Sequence, residues 1–326
     1  RFIKAGVGGT PSELGMIRFD RDVLREGERP DIVVIEFAVN DEGDETKGVC
    51  YESLVRKVLK LPWKPAVVLL FSVFANDWNL QERLRPVGDL YDLPMVSIRD
   101  AVTPQFSLKC GEGRILSKNQ FFYDIFHPNN TGHTIMADCL QYLFERCDAA
   151  EPARVGTFVE GMTEEQILSE KLSGPAVIGA DFERIFLLDK KNRYVGAKIR
   201  AGGFTSTDME LQSVEMDGNL TQTPEFPYNW MYDGSRPQMA GFEMEITCKS
   251  LFLIFKDSGE MDVGKANVFV NDVYCMTADP HKNNWLHCNA VLLFWETESR
   301  SHKVRIAVTE EDRNKKFTIL GFGYTI

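Results

Sequence analysis

The run DIVVIEFAV, residues 31–39, limits the possible folds of this chain more than any other feature, because it is apolar almost without interruption. A strand with one face in water alternates apolar and polar residues, whereas a strand buried on both faces, as in a parallel sheet, does not. A second such run, AVVLLFSV, spans residues 66–73, and the shorter PMVSI spans 94–98. A helical pattern, YESLVRKVLKL (51–61), lies between the first two runs. This alternation predicts a doubly wound α/β sheet.

The pattern changes in the second half of the chain. Residues 176–326 contain short strand-like runs such as RIFLLD, ANVFVNDVYC and AVLLFWETES, separated by Asp, Gly and Asn turns. This texture is typical of an all-β sandwich or jelly roll. The 326 residues are also about twice the allowance for one domain. We therefore predict an α/β domain at 1–150, a linker at 151–175 and a β-sandwich domain at 176–326.

Charge and composition exclude several classes of function. Forty-eight acidic against thirty-seven basic side chains leave a net charge of -11. No Lys/Arg-dense stretch could follow a phosphate backbone, so we expect no nucleic-acid partner. No apolar run approaches the roughly 18 residues of a membrane helix, so we expect no membrane association. Oligomeric state stays open.

The seven cysteines are odd in number and have neither CxxC spacing nor nearby paired histidines. This pattern favours a reduced, cytoplasmic protein without a metal site, and nothing in the sequence calls for a cofactor. A removed export signal before Arg1 stays an open alternative.

Polar or unhindered residues stand at the expected strand ends, where ligands bind in doubly wound sheets. Gly6 follows the short run RFIKA (1–5), and Asn40 follows the strand 31–39. A glycine N–H and a side-chain amide can together bind a developing oxyanion. Further along, in YDIFHPNNTGH, Asp124 precedes His127 by three residues. The carboxylate can accept the ring Nδ1–H and leave Nε2 to take a proton from a hydroxyl.

This set, Gly6, Asn40 and DIFHPNNTGH, resembles three sequence blocks of the SGNH (GDSL-type) serine hydrolases. The resemblance implies a flavodoxin-like three-layer α/β fold over the first part of the chain. It makes Gly6 and Asn40 the oxyanion donors, His127 the general base and Asp124 the residue that orients it. AVND departs from the usual Gly-x-Asn-Asp of this family at Ala38, a small-for-small exchange.

The nucleophile block of that family, Gly-Asp-Ser, should precede Gly6 by some tens of residues, and therefore lies upstream of Arg1. The nearest serine, Ser12, falls in the first turn of a predicted helix, away from a strand end. In the flavodoxin-like strand order, the strand before this block is central. We therefore expect an empty strand position flanked by residues 1–5 and 32–38, filled by an upstream segment or by another chain.

Each motif also has a purely structural interpretation. Asp124 could be an N-terminal helix cap with His127 a structural histidine, and Gly6 and Asn40 could simply form turns. Their joint occurrence at successive strand ends favours catalysis. Trp78, in the loop after the strand 66–73, could form a wall of the pocket or pack on its own loop.

In the second domain, Trp230 and Trp285 lie in aromatic, turn-rich loops of the kind that stack on sugar rings, although either could instead fill an end of the sandwich. The two-domain layout resembles bacterial carbohydrate acetylesterases, including mannan-type enzymes, whose C-terminal β-sandwich is of carbohydrate-binding type. We therefore expect an esterase that removes a small acyl group, acetyl above all, from an acylated oligosaccharide. The alternative is a non-catalytic carbohydrate-binding relic of a hydrolase.

Overall fold

The computed structural model describes residues 1–25, 27–149, 162–215, 222–239 and 241–326. Its contacts divide the chain into two compact units. The α/β unit comprises Arg29–Glu183, and the β-rich unit comprises Arg1–Glu28 together with Arg184–Ile326. This division differs from the expected one, which assigned residues 1–28 to the α/β domain and ended that domain at residue 150. The first part of the expected linker, residues 151–161, lies outside the described residues.

The secondary structure follows the chain in two stages, mainly helical at first and then almost entirely of strands. The α-helices are α1 (Ser12–Phe19), α2 (Val49–Leu59), α3 (Gln81–Tyr91), α4 (Ile98–Phe106), α5 (Lys118–Phe121), α6 (Asn130–Asp148) and α7 (Glu164–Ser173). A π-helical turn, Asp20–Leu24, continues α1, and 3₁₀ turns cover Cys110–Glu112 and Pro237–Met239. The strands are β1 (Ile32–Glu36), β2 (Ala66–Phe71), β3 (Met95–Ser97), β4 (Phe186–Leu188), β5 (Ala197–Arg200), β6 (Ser213–Glu215), β7 (Gln222–Pro224), β8 (Trp230–Tyr232), β9 (Gly241–Asp257), β10 (Ala266–Val270), β11 (Val273–Ala278), β12 (His287–Val308) and β13 (Phe317–Thr325). None of the described helices is long and apolar enough to cross a membrane.

The α/β unit is built on the parallel sheet β1-β2-β3. β2 lies in the middle, and its residues from Val67 to Phe71 are buried, as expected for a strand covered on both faces. β1 pairs only with β2 among the described residues. On β1, Ile32 and Val34 are 48 % and 44 % exposed. The sheet is therefore parallel as predicted, with one open and partly apolar edge along β1.

The α/β unit extends beyond residue 150 because a buried carboxylate in α2 binds the chain that follows α7. Glu52 is fully buried. Its oxygens accept the backbone N–H groups of three successive residues, Val177, Ile178 and Gly179. A carboxyl group buried inside a protein needs such hydrogen-bond partners. Residues 177–179, which the predicted boundaries assign to the β-sandwich domain, therefore belong to the α/β unit.

The β-rich unit contains one large antiparallel sheet, in which eight strands are hydrogen-bonded. Its main path runs β11-β10-β12-β9-β13-β4, with β5 also pairing with β9 and β8 with β13. The long strand β9 pairs with β5 through its first half and with β13 through its second half. Register shifts in the β9–β12 and β9–β13 pairings accompany this change of neighbour. The prediction of an all-β second half is thus correct.

Residues 1–5 form no strand, so the expectation that RFIKA pairs in the parallel sheet is wrong. The apolar run is short, and Phe2 is 85 % exposed. Instead, the contacts of the segment that includes α1 lie within the β-rich unit. Leu14 and Ile17 in α1 are at most 3 % exposed, and Ile17 packs against Gly323 in β13. An apolar helix face matches any apolar core, which is why the sequence pattern assigned α1 to the α/β domain.

Candidate active site

The Asp-His loop, residues 122–129, connects α5 to α6 and carries the two residues expected to form the catalytic pair. Asp124 Oδ1 accepts the backbone N–H groups of Phe126 and His127, each at 2.7 Å. The same carboxylate faces the His127 ring, whose Nδ1 lies 2.9 Å from Oδ2 and 3.1 Å from Oδ1. Asp124 therefore orients both the backbone and the imidazole of His127.

The contact between Asp124 and His127 determines what the imidazole can do. The hydrogen bond from the His127 ring, followed by those from the backbone N–H groups of Phe126 and His127, holds the pKa of Asp124 below its usual value. An ionised carboxylate only accepts hydrogen bonds, so Nδ1 of His127 carries a hydrogen and Nε2 of the neutral ring is the basic nitrogen. Within the described residues Nε2 has no hydrogen-bond partner, and the His127 side chain is 60 % exposed. The geometry presents an oriented proton acceptor.

Asp124 does not cap α6, so the interpretation of this aspartate as the helix cap is wrong. The N-cap is Asn129, whose side chain accepts the N–H of Gly132 at 3.0 Å. A Cβ added at Gly132 would lie only 2.3 Å from the carbonyl oxygen of Phe121. The asparagine and the glycine of the motif thus shape the start of the helix, which leaves the Asp124 carboxylate free to bind the loop and the ring.

A row of aromatic side chains leads to His127. Trp78 stacks on Phe74, with ring centroids 5.6 Å apart, and Phe74 meets Phe126 edge-on at 5.2 Å. The Phe126 ring lies edge-on to the imidazole at 6.2 Å, and Tyr123 stacks on the imidazole at 5.5 Å. Trp78, expected near the pocket, is therefore two rings away from His127. Phe126 and Tyr123 were not predicted as site residues, although their position beside the histidine in the sequence was the available signal.

The Asp-His loop is attached to the loop that follows β2. The N–H of Ala75 donates to the carbonyl oxygen of Ile125 at 3.0 Å. Lys118, at the start of α5, forms an ion pair with Asp77 across 3.2 Å. These bonds place His127 next to the carboxyl end of the parallel sheet, where the sequence pattern predicted the site.

Asn40 also lies beyond the carboxyl end of a strand in the α/β unit. Its backbone N–H closes a turn to the carbonyl of Phe37 at 3.1 Å, directly after β1. No described residue is hydrogen-bonded to its side-chain amide, which is partly buried. Ala38, two residues before Asn40, is fully buried. The amide of Asn40 is thus available to a ligand.

Gly6 belongs to the β-rich unit, so the structure does not bring it into one unit with Asn40, Asp124 and His127. It is exposed, and a Cβ added there would meet no atom within 4 Å. No described acceptor is hydrogen-bonded to its N–H. Gly6 therefore has an exposed backbone N–H that is available to an acceptor, and it stays a candidate oxyanion donor.

Of the two candidate sugar-binding tryptophans in the β-rich unit, only one has an accessible ring. Trp230 is 6 % exposed and packs against Phe242 and Phe322 in the core, so its expected role in substrate binding is corrected to a structural one. Trp285 is 47 % exposed. Its indole covers Gly9, whose φ of +73° and close contact with the ring require glycine there.

The described part of the chain does not supply the nucleophile that would act with His127. No hydroxyl or thiol of a described residue is hydrogen-bonded to His127 Nε2. Ser12, the serine nearest to Gly6, is the first residue of α1 and is fully buried. Among the described residues, no group of three or more His, Cys, Asp or Glu side chains could hold a metal ion.

Solved structures give the clearest comparison. No family model matches the chain, and no curated protein matches it. A two-domain esterase (CEX) active on acetylated mannans, co-crystallised with mannopentaose, matches 99 % of this chain and 80 % of its own, with TM-score 0.73 and 22 % identity. The chain has the fold of this two-domain esterase. A second structure of such an esterase matches with TM-score 0.71 and 22 % identity, over 98 % of this chain and 78 % of its own.

A family two carbohydrate esterase from Cellvibrio japonicus matches 44 % of this chain and 33 % of its own, at 12 % identity. Its TM-score is 0.28, too low to support an argument. The expected resemblance to two-domain mannan-type esterases is therefore confirmed for the fold by the two longer matches.

Proposed function

We propose that this protein is a serine esterase that removes a small acyl group, most plausibly acetyl, from a carbohydrate. The observation that carries the proposal is the Asp124–His127 pair with its unpartnered Nε2 in the described structure. In this proposal the α/β unit has the flavodoxin-like, three-layer fold of the SGNH hydrolases, and the β-rich unit is a sandwich of carbohydrate-binding type.

In the proposed reaction, Nε2 of His127 takes the proton of a serine hydroxyl as its oxygen attacks the acyl carbonyl carbon. The tetrahedral intermediate then collapses, and the sugar oxygen leaves with the proton held by His127. Water repeats the sequence on the acyl-serine, releasing the acid and restoring the serine. Asp124 keeps Nδ1 protonated and stabilises the imidazolium that forms in each half of the reaction.

The oxyanion of each intermediate needs donors that are already in place. We propose the Gly6 N–H and the Asn40 side-chain amide for this role. Within the described residues, neither donor is bonded to a protein acceptor that would have to be displaced. Backbone N–H and amide donors bind an oxyanion without transferring a proton, which leaves proton transfer to His127 alone.

The nucleophile in this proposal is the serine of a Gly-Asp-Ser block, which the family resemblance places upstream of Arg1. The open edge of β1 supports this assignment, because apolar side chains and unpaired backbone groups at a sheet edge favour pairing with another strand. The strand that carries the block would pair there and present its serine at the carboxyl end of the sheet, the end at which His127 lies.

We propose acetylated oligosaccharides of the mannan type as the substrate class. The structural match supports this choice, since the matched esterase is described as active on acetylated mannans. An acetylated sugar is small and polar and stacks well on aromatic rings. We assign Trp78 and Trp285 to this contact because both rings are at least partly accessible.

The cysteines support a proposal about location. Three of the seven cysteines, Cys50, Cys248 and Cys288, are buried in the structure. Burial raises the pKa of the Cys248 thiol to about 12, so it stays protonated and unreactive. We propose a reducing, cytoplasmic setting, without nucleic-acid or membrane partners.

The decisive experiment expresses the full-length protein and measures acetate release from acetylated mannooligosaccharides. Acetate release that is lost in His127→Ala and retained in His133→Ala would support the esterase. His133 is the matched control because it is also exposed and lies in the same motif. Binding of the sugar without acetate release by the wild-type protein would instead support the non-catalytic carbohydrate-binding alternative.

A further inference from the structure

Arg18, in α1, determines the direction of the Gly6 N–H. Its Nη2 donates to the carbonyl oxygen of Ala5 at 2.9 Å. That carbonyl and the Gly6 N–H belong to the same peptide group, which is planar and trans, so they point in opposite directions. Because the carbonyl points toward the buried guanidinium, the N–H points away from it. The Arg18 bond thus orients the one backbone donor assigned to the oxyanion.

Arg18 is itself immobilised by two carboxylates. Its side chain is 5 % exposed, and its Nη1 forms an ion pair with Asp22 and lies 4.0 Å from Glu225 Oε1. The side chains of Asp22 and Glu225 are 7 % and 3 % exposed, and Glu225 also pairs with Arg21. Buried charges held by several partners keep a single geometry, because every alternative leaves a charge unpaired. Glu225 lies far along the chain from this helix, 204 residues after Arg21.

The peptide groups that follow are fixed in the same way. Gln212 Nε2 donates to the carbonyl of Gly8 at 3.0 Å, while its Oε1 accepts the N–H of Cys288 at 2.9 Å. The ring Nε2 of His287 lies 3.0 Å from the carbonyl of Gly9. Side chains therefore bind the backbone carbonyls of Ala5, Gly8 and Gly9 and hold the segment 5–9 at both ends. Among the described residues, none accepts a hydrogen bond from the Gly6 N–H.

We propose that Arg18 is a positioning residue for the esterase reaction, holding the Gly6 N–H in place as an oxyanion donor through the carbonyl of Ala5. This inference rests on the proposed function. Glu225 acts through Arg18, since its carboxylate helps to hold the guanidinium that fixes this donor. If Arg18 had only a structural role, its substitution would lower folding stability without lowering kcat selectively relative to KM.

The test compares Arg18→Lys with Arg56→Lys in the full-length protein. Arg56 is the matched control because it is equally buried, pairs with Glu183 and donates to the carbonyl of Leu172 at 2.7 Å. A lysine retains the charge but lacks the fork that binds a carboxylate and a carbonyl together. We expect Arg18→Lys to lower kcat for p-nitrophenyl acetate by about 10- to 100-fold with KM nearly unchanged, because a displaced oxyanion donor costs up to about 10²–10³.

Hydrogen exchange of residues 5–10 provides a second readout that needs no catalysis. It should be faster in Arg18→Lys and unchanged in Arg56→Lys. If Arg18→Lys fails to fold, Glu225→Gln takes its place, since it removes a charge that orients the guanidinium while keeping the shape of the side chain.

A kcat within two-fold of wild type in Arg18→Lys, with His127→Ala inactive, would overturn the inference and leave the esterase proposal intact. Equal losses of kcat in Arg18→Lys and Arg56→Lys, in proportion to their losses of Tm, would also overturn it. A wild-type protein no more active than His127→Ala would reject the esterase proposal itself, and this inference with it.

Discussion

Asp124 binds His127 twice, accepting its backbone N–H at 2.7 Å through Oδ1 and facing its ring Nδ1 at 2.9 Å through Oδ2. The two contacts link the backbone of a tight turn to the rotamer of its histidine. Since the residues are only three positions apart, the pair needs little support from the rest of the fold. The relationship suits a base that must keep one orientation although its ring is exposed.

Replacing His127 by alanine should abolish most of the proposed esterase activity. We expect kcat for p-nitrophenyl acetate to fall by about 10³ or more in the full-length protein, because the proposed general base is removed. Since the side chain is 60 % exposed, Tm should change little. Turnover equal to that of wild type in His127→Ala would exclude His127 as the base.

Asp124→Asn should reduce kcat less than His127→Ala. The amide oxygen of asparagine can still accept the N–H groups of Phe126 and His127, so the turn is preserved while the charge is lost. Steady-state kinetics of both variants would decide the role of Asp124. A loss equal to or larger than that of His127→Ala would mean that Asp124 does more than orient the ring.

Gly132→Ala should lower both stability and activity, although alanine is the better helix former by about 1 kcal/mol. The added Cβ would lie 2.3 Å from the Phe121 carbonyl oxygen and 2.8 Å from Pro128 Cβ, so the Asp-His loop must shift. We expect a loss of about 1–3 kcal/mol in the free energy of unfolding. Gly111→Ala is the control, because a Cβ there meets nothing within 4 Å. A Gly132→Ala variant more stable than wild type would contradict the argument.

The two tryptophans of the β-rich unit should respond in opposite ways. Trp230→Ala empties a core position and should cost about 3–5 kcal/mol in the free energy of unfolding, measured by urea denaturation. Trp285→Ala should cost less than about 1 kcal/mol, because half of its ring is already exposed. It should instead raise KM for an acetylated oligosaccharide more than for p-nitrophenyl acetate. Equal KM changes for both substrates would argue against a sugar contact.

Glu36 should make stability depend on pH. It ends β1, and burial raises its pKa although the N–H groups of Ser72 and Ala38 partly offset the effect. A carboxyl with a raised pKa in the folded state contributes stability that is present at low pH and is lost as pH rises through that pKa. Glu36→Gln removes the charge and keeps an acceptor for Ala38. Its gain in Tm over wild type should therefore be larger at pH 8 than at pH 4.5, and a gain independent of pH would contradict this assignment.

Local sequence was sufficient where the structure depends on neighbours in the chain. The apolar runs at 31–39 and 66–73 predicted strands of a parallel sheet, and they form β1 and β2. The expected burial on both faces holds for β2, whereas β1 is partly exposed. Asp124 and His127 are three residues apart, so their contact is set by a single turn. The position of Asn40 directly after β1 follows from the end of the apolar run. These features were predictable because their partners are adjacent or periodic in the sequence.

Tertiary structure alone decided the features that depend on distant partners. The apolar face of α1 could cover either core, and only the packing of Ile17 on Gly323 and the binding of Arg18 near Glu225 assign it to the β-rich unit. Trp230 and Trp285 looked alike in sequence, yet one is in the core and the other is exposed. Burial is a property of the whole packed chain, since it depends on which surfaces meet after folding, and no local pattern of residues encodes that choice.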